Sequence, residues 1–75
     1  MNSKRRKTLK EVHEHLSIAA DKLEDVIDEE QDSLENTPES LQDSESYAER
    51  EDAFSEMQDA LDDIKSSMDT ISEML

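Results

Sequence analysis

The chain has 75 residues, of which 40% are charged, 32% hydrophobic and 3% aromatic, with a net charge of −14 and neither Gly nor Cys. That length allows one domain with a modest core. It leaves no disulfide framework and no thiolate zinc site, and it points to oligomerisation as the means of completing a core. No apolar run approaches the ~20 residues that span a bilayer, so no membrane segment is expected.

The N-terminal stretch MNSKRRKTLK holds five cations (Lys4, Arg5, Arg6, Lys7, Lys10) and no acid. It leads into a charged amphipathic segment and not an apolar one, so it does not read as a signal peptide. Residues 11–75 hold 22 acids and three bases (Lys22, Arg50, Lys65), a net of −19. This acidic body should repel phosphate and bind no nucleic acid directly, while remaining compatible with a basic protein partner. So much charge and so few aromatics would also suit disorder, but the hydrophobic pattern argues otherwise.

From Leu9 the apolar residues recur at alternating steps of three and four: Leu9, Val12, Leu16, Ala19, Leu23, Val26. Ala20, Ile27 and Leu34 widen this stripe on one side. The spacing predicts helix 1 at about 4–35. Thr8-Leu9-Lys10-Glu11 has capping-box spacing, with Ser3 as the earlier alternative start. Asn36 suits a left-handed C-terminal cap, and Pro38 disfavours helical geometry at Thr37. Thr37 can then cap a short turn at 38–42, within a connector at about 36–44.

Helix 2 is predicted at about 45–74, capped by Ser44 or by Ser46 with Glu49. Its stripe runs Tyr47, Phe54, Met57, Leu61, Ile64, Met68, Ile71, Leu75, flanked by Ala53, Ala60 and Met74. A nine-residue connection makes the two helices antiparallel neighbours. Folding the chain at the loop sets Leu34 against Tyr47, Ile27 against Phe54, Leu23 against Met57, Leu16 against Ile64, Val12 against Met68 and Leu9 against Ile71. Glu30 then falls near Arg50, as an ion pair. The expected fold is all-α: one antiparallel helical hairpin spanning residues 1–75. Two helices cannot enclose a core, so a two-fold dimer forming a four-helix bundle is expected, with Leu16, Ala20, Leu23, Ile27, Phe54, Met57, Leu61, Ile64 and Met68 as the self-association residues.

Catalysis has little foothold in this pattern. No Cys is available, no Ser or Thr is placed beside a base, and a thin bundle offers no deep apolar pocket. His13 and His15 lie two residues apart, on divergent sides of a helix, and cannot chelate one metal; they read as half-exposed surface residues beside Glu11 and Glu14. The acidic run Asp28–Asp32 lacks the alternating ligands and central Gly of a calcium loop. No enzyme activity, cofactor or metal is expected. The basic tip is expected to dock against the end of helix 2, near Asp69 and Glu73, or to lie solvated.

The hairpin brings Asp28, Glu29, Asp32 and Glu35 together with Glu39, Asp43, Glu45 and Glu49 as an acidic pole, the expected partner-binding surface. The acids ending helix 1 oppose its dipole, at a few tenths of a kcal/mol each. A rod about 45 Å long matches duplex DNA bearing ~26 phosphates, so a net of −19 approaches that of a DNA mimic for a basic groove.

The stretch DEEQDSLENTPESLQDSESYAEREDA resembles small acidic proteins encoded by phages and mobile elements of Gram-positive bacteria, a family with no assigned activity. They share a DEEQ-like segment, an EN-x-PE-x-LQ-x-SE connector and a second helix ending in Ile/Leu repeats. The resemblance covers the middle third by motif and the rest by pattern. It implies a phage or prophage origin and residence in the host cytoplasm. Small acidic phage proteins often inhibit host enzymes that handle DNA, which extends by analogy to an inhibitor of a nucleic-acid enzyme. The alternative is a structural or assembly subunit acting through its apolar seams, with the acidity serving only solubility.

Overall fold

The computed structural model describes all 75 residues as an antiparallel helical hairpin: α1 (Ser3–Glu35), a single 3-10 turn (Glu39–Leu41) and α2 (Glu45–Met74). It is a rod measuring 59 × 15 × 14 Å over its Cα atoms. Its radius of gyration is 17.2 Å, against about 11 Å for a compact domain of this length.

Both helices begin on a side-chain cap. Asn2 is extended (φ −80°, ψ 167°), and its Oδ1 accepts from the Arg5 N–H at 2.8 Å. The Thr8 capping box therefore does not start α1. Thr8 lies one turn inside the helix, and its hydroxyl donates to the Lys4 carbonyl at 3.2 Å. Asn2 wins because a short polar side chain on an extended residue reaches an orphan N–H that Thr8, already helical, cannot. Ser44 caps α2 as expected: it is extended (φ −75°, ψ 153°), and its Oγ accepts from the Tyr47 N–H at 3.1 Å. Ser46 lies inside the first turn.

The end of α1 departs from expectation. Asn36 has φ −90° and ψ 2°, and no residue has a positive φ. The last carbonyls are instead satisfied without a left-handed cap. Asn36 donates to the Asp32 carbonyl through its backbone N–H at 3.0 Å and its Nδ2 at 2.8 Å. The Thr37 hydroxyl donates to the Ser33 carbonyl at 2.9 Å. Thr37 thus closes α1 and does not cap the following turn, whose N-terminal flank is Pro38 with no side-chain cap.

The seam between the helices corrects one face of α1. Ala20, Ile27 and Leu34, expected as flanking residues, are buried, whereas Val12 and Val26 are 38% and 48% exposed. The observed stripe is Leu9, His13, Leu16, Ala20, Leu23, Ile27, Glu30, Leu34. It alternates steps of four and three only if His13 and Glu30 belong to it, so an apolar count overlooks it. The α2 stripe is as expected from Tyr47 to Ile71, with Arg50 filling the gap between Tyr47 and Phe54, but Leu75, expected to end it, lies beyond the helix and is exposed. Leu23, Phe54, Met57, Ile64 and Met68 pack on the core of Ala20, Ile27 and Leu61. The residues expected to mediate self-association therefore lie along the seam inside one chain, with Leu16 half-buried among them.

Polar contacts cross between the helices at two places. Arg50 Nε donates to Glu30 Oε1 at 3.1 Å, the pair expected from the fold-back. Its other nitrogens reach Ser33 Oγ at 2.7 Å and Thr37 Oγ1 at 3.5 Å, tying the start of α2 to the end of α1. Near the open end, His13 Nε2 and Ser72 Oγ are hydrogen-bonded at 3.1 Å. This contact is about one turn farther along α2 than simple fold-back pairing suggests. Helical side chains lean toward their own N-terminus, and in antiparallel helices the two leans run in opposite directions, which offsets tip contacts from backbone register. No helix is long and apolar enough to cross a membrane.

Candidate protein-binding surface

The acidic pole is assembled from three elements. The last turns of α1 supply Asp28, Glu29, Asp32 and Glu35, the 3-10 turn supplies Glu39, Asp43 stands just before the Ser44 cap, and Glu45 and Glu49 complete it at the start of α2. All eight are exposed. None is engaged in an ion pair, since the one salt bridge in the molecule is Glu30–Arg50. Glu35 accepts a hydrogen bond from Gln31 at 3.4 Å; otherwise the carboxylates of the pole face water. The pole sits where the dipoles of both helices end, negative at α1 and positive at α2. Glu45 in the first turn of α2 is favourably placed, and α1 has no basic residue in its last turn.

The charge is distributed unevenly along the rod. Residues 20–60, the half nearer the loop, hold sixteen acids and two bases, a net of −14. Residues 1–19 and 61–75, the open half, hold six acids and six bases and are neutral. Half of a 59 Å rod is about 30 Å, so the loop half carries one net charge per ~2 Å, against one phosphate per ~1.7 Å of duplex DNA.

A second acidic feature was not anticipated. On one side of the hairpin, Glu24 and Asp28 of α1 face Asp59 and Asp62 of α2 across a shallow groove floored by Ile27 and Leu61, with Gln31 and Gln58 beside them. The groove extends the negative surface from the pole toward the middle of the rod. The signal for it was present in the sequence, because these residues flank the seam positions Ile27 and Leu61, but it emerges only once that seam is known.

The histidines are separated. His13 is half-buried and hydrogen-bonded to Ser72, and His15 is exposed. Nowhere do three His, Asp or Glu side chains converge as metal ligands would. At the open end, Lys4, Arg5, Arg6, Lys7 and Lys10 are all exposed, and none approaches a carboxylate within 4.0 Å. The expected docking of this tip against Asp69 and Glu73 does not form. The adjacent side chains of α2 are too few and too short to draw long, well-hydrated cations out of water, since an exposed pair offers little against the entropy of holding it.

No family model, curated protein or solved structure matches the chain.

Proposed function

We propose that this chain is a non-enzymatic acidic binding module whose loop half occupies a basic, nucleic-acid-binding surface of a partner protein. The observation that carries this reading is the concentration of charge: all of the net −14 lies in residues 20–60, at a linear density close to that of duplex DNA. Eight exposed, unpaired carboxylates, six of them on two capped helices and two in the short connector between them, present that charge on a backbone with little freedom left to lose on binding. The partner class is a DNA- or RNA-handling protein. The resemblance to phage-encoded acidic proteins adds the narrower reading of an inhibitor acting in a host cytoplasm.

The test is reversal of Asp28, Glu29, Asp32 and Glu35 to Lys. The variant should keep its far-ultraviolet helical signal, and relief of the dipole clash should stabilise α1 by a few tenths of a kcal/mol per residue. A tagged parent chain, incubated with nuclease-treated lysate, should retain a nucleic-acid-handling protein at low salt and release it at high salt or on adding duplex DNA. The reversed chain should retain none. A partner held equally by both chains and regardless of salt would sink the mimic reading.

A second reading is favoured by the exposed Val12, Val26 and Met74, at 38%, 48% and 49%. In it the chain is an assembly subunit acting through apolar contact, and the charge reversal would leave its associations intact.

A further inference from the structure

Seen along the rod, the two sides of the seam differ. On one side lies the acidic groove, where seam-flanking residues of both helices (Glu24, Gln31, Gln58) line a single surface. Flanking positions of the same kind share a side in an antiparallel pair. The opposite flank is therefore formed by the residues that precede the seam positions: Val12, Ala19 and Val26 on α1, and Ala53, Ala60 and Met74 on α2. Toward the loop and between these residues both rows continue only in serine; Arg5 opens the α1 row at the basic tip. This flank is uncharged over most of the rod in a chain that is 40% charged.

We infer that this face binds a second copy of the chain, with the two hairpins running in opposite directions. Area supports the occupant. The accessible surface is 5750 Å², whereas a compact monomer of 8.6 kDa exposes about 4,700 Å². The excess of about 1,000 Å² is comparable to the ~800 Å² per partner of a standard stable interface. A face 59 Å long and about 15 Å wide supplies that area.

Charge sets the direction. If the loops lay at the same end, two halves of net −14 would lie side by side, and at the other end ten unpaired cations would crowd together. With the loops at opposite ends, each −14 half lies against a neutral one. The unpaired Lys4, Arg5, Arg6 and Lys7 of one copy then reach the acidic end of α1, from Asp28 to Glu35, in the other. The two-fold axis that does this is perpendicular to the rod and seats α1 on α1 and α2 on α2. It passes near Ala19 and Ala60, the small residues at the middle of each row, where the helices approach closest. Val12 of each copy then meets Val26 of the other. Glu56 of each copy meets Asp63 of the other at the rim of α2, where solvent and salt screen them. The arrangement leaves the acidic groove on the outside of both copies and is independent of whether a further protein binds there.

The experiment uses the absence of native cysteine. Ser40→Cys, in the exposed 3-10 turn, is spin-labelled in the full chain, and the distance between the two labels of a dimer is measured. Equilibrium sedimentation should give twice the monomer mass. The label distance should approach the length of the rod, and mixing Ser3→Cys with Ser40→Cys chains under oxidation should yield the mixed disulfide between positions 3 and 40 in preference to either symmetric one. A monomer at tens of micromolar overturns the inference, and so does a dimer whose Ser40 labels lie within about two helix diameters, ~20–25 Å. A second arm maps the face. Val26→Glu with Ala60→Glu, both at exposed positions, should keep the helical signal and lose the dimer, whereas Gln31→Glu with Gln58→Glu on the groove side should keep it. The reverse result overturns the assigned face. If the parent chain captures no nucleic-acid-handling protein, these readouts of self-association are unchanged, so the two ideas fail separately.

Discussion

Replacing both Glu30 and Arg50 with leucine is expected to stabilise the hairpin. The two side chains are 29% and 36% exposed and meet within a seam that is apolar on either side of them, between Leu34 and Ile27 and between Tyr47 and Phe54. Because both are partly solvated, their mutual attraction is that of a screened surface pair, about 0.5–1 kcal/mol. Ser33 and Thr37, which also bond Arg50, return to water when it is removed and cost little. Two leucines about two-thirds buried contribute roughly 1.3 kcal/mol each, taking ~2 kcal/mol for full burial. The net gain is about 1–2 kcal/mol. With a urea m-value of ~1 kcal/mol/M for a small chain, the midpoint should rise by about 1–2 M. The measurement is urea unfolding followed by circular dichroism, at one protein concentration because association would shift the midpoint. The single replacements complete a double-mutant cycle, whose coupling should fall near 0.5–1 kcal/mol. A lowered midpoint in the double variant would refute the argument; so would a coupling of 3 kcal/mol or more, which would mean that the pair behaves as a desolvated bridge. The pair's role is then one of register. It ties the end of α1 to the start of α2 at one fixed offset, which leucine cannot do.

Two further substitutions test the fold with matched controls. Ile27→Ala should cost about 2–3 kcal/mol, because Ile27 is 6% exposed at the centre of the core. The same change at Ile18, 55% exposed on the same helix, should stay within about 0.5 kcal/mol; equal effects in urea unfolding would mean that the seam is misplaced. Asn2→Ala should remove about 0.5–1 kcal/mol and increase hydrogen exchange in the first turn of α1, where the cations already oppose the dipole, whereas Thr8→Ala should leave that turn unchanged. Faster exchange in the Thr8 variant would restore the capping box as the true start.

The acidic pole was legible in the sequence residue by residue, since its eight carboxylates lie on either side of a break marked by Asn36 and Pro38 and any hairpin brings them together. The acidic groove was not, because its four carboxylates come from different helices and become neighbours only through the choice of seam. The free basic tip was left open between docking and solvation for a related reason. Proximity in a fold-back scheme suggested ion pairs, but whether an exposed lysine holds a carboxylate depends on reach and entropy.

The sequence by itself determined two long helices, their break, the stripe of α2 as far as Ile71 and the Glu30–Arg50 pair. Each of these follows from local spacing or from one fold-back relation. Only the tertiary structure decided which stripe of α1 turns inward. Val12, Ala19 and Val26 compete there with Ala20 and Ile27, and both sets share Leu9, Leu16 and Leu23. Neighbouring residues differ by only about 100° around a helix, so spacing alone cannot choose between them. α2 offers no such rival, because alanines flank most of its stripe. Packing against Phe54, Met57 and Leu61 selects the larger Ile27 for the interior. The same choice leaves the valines in water and creates the uncharged face.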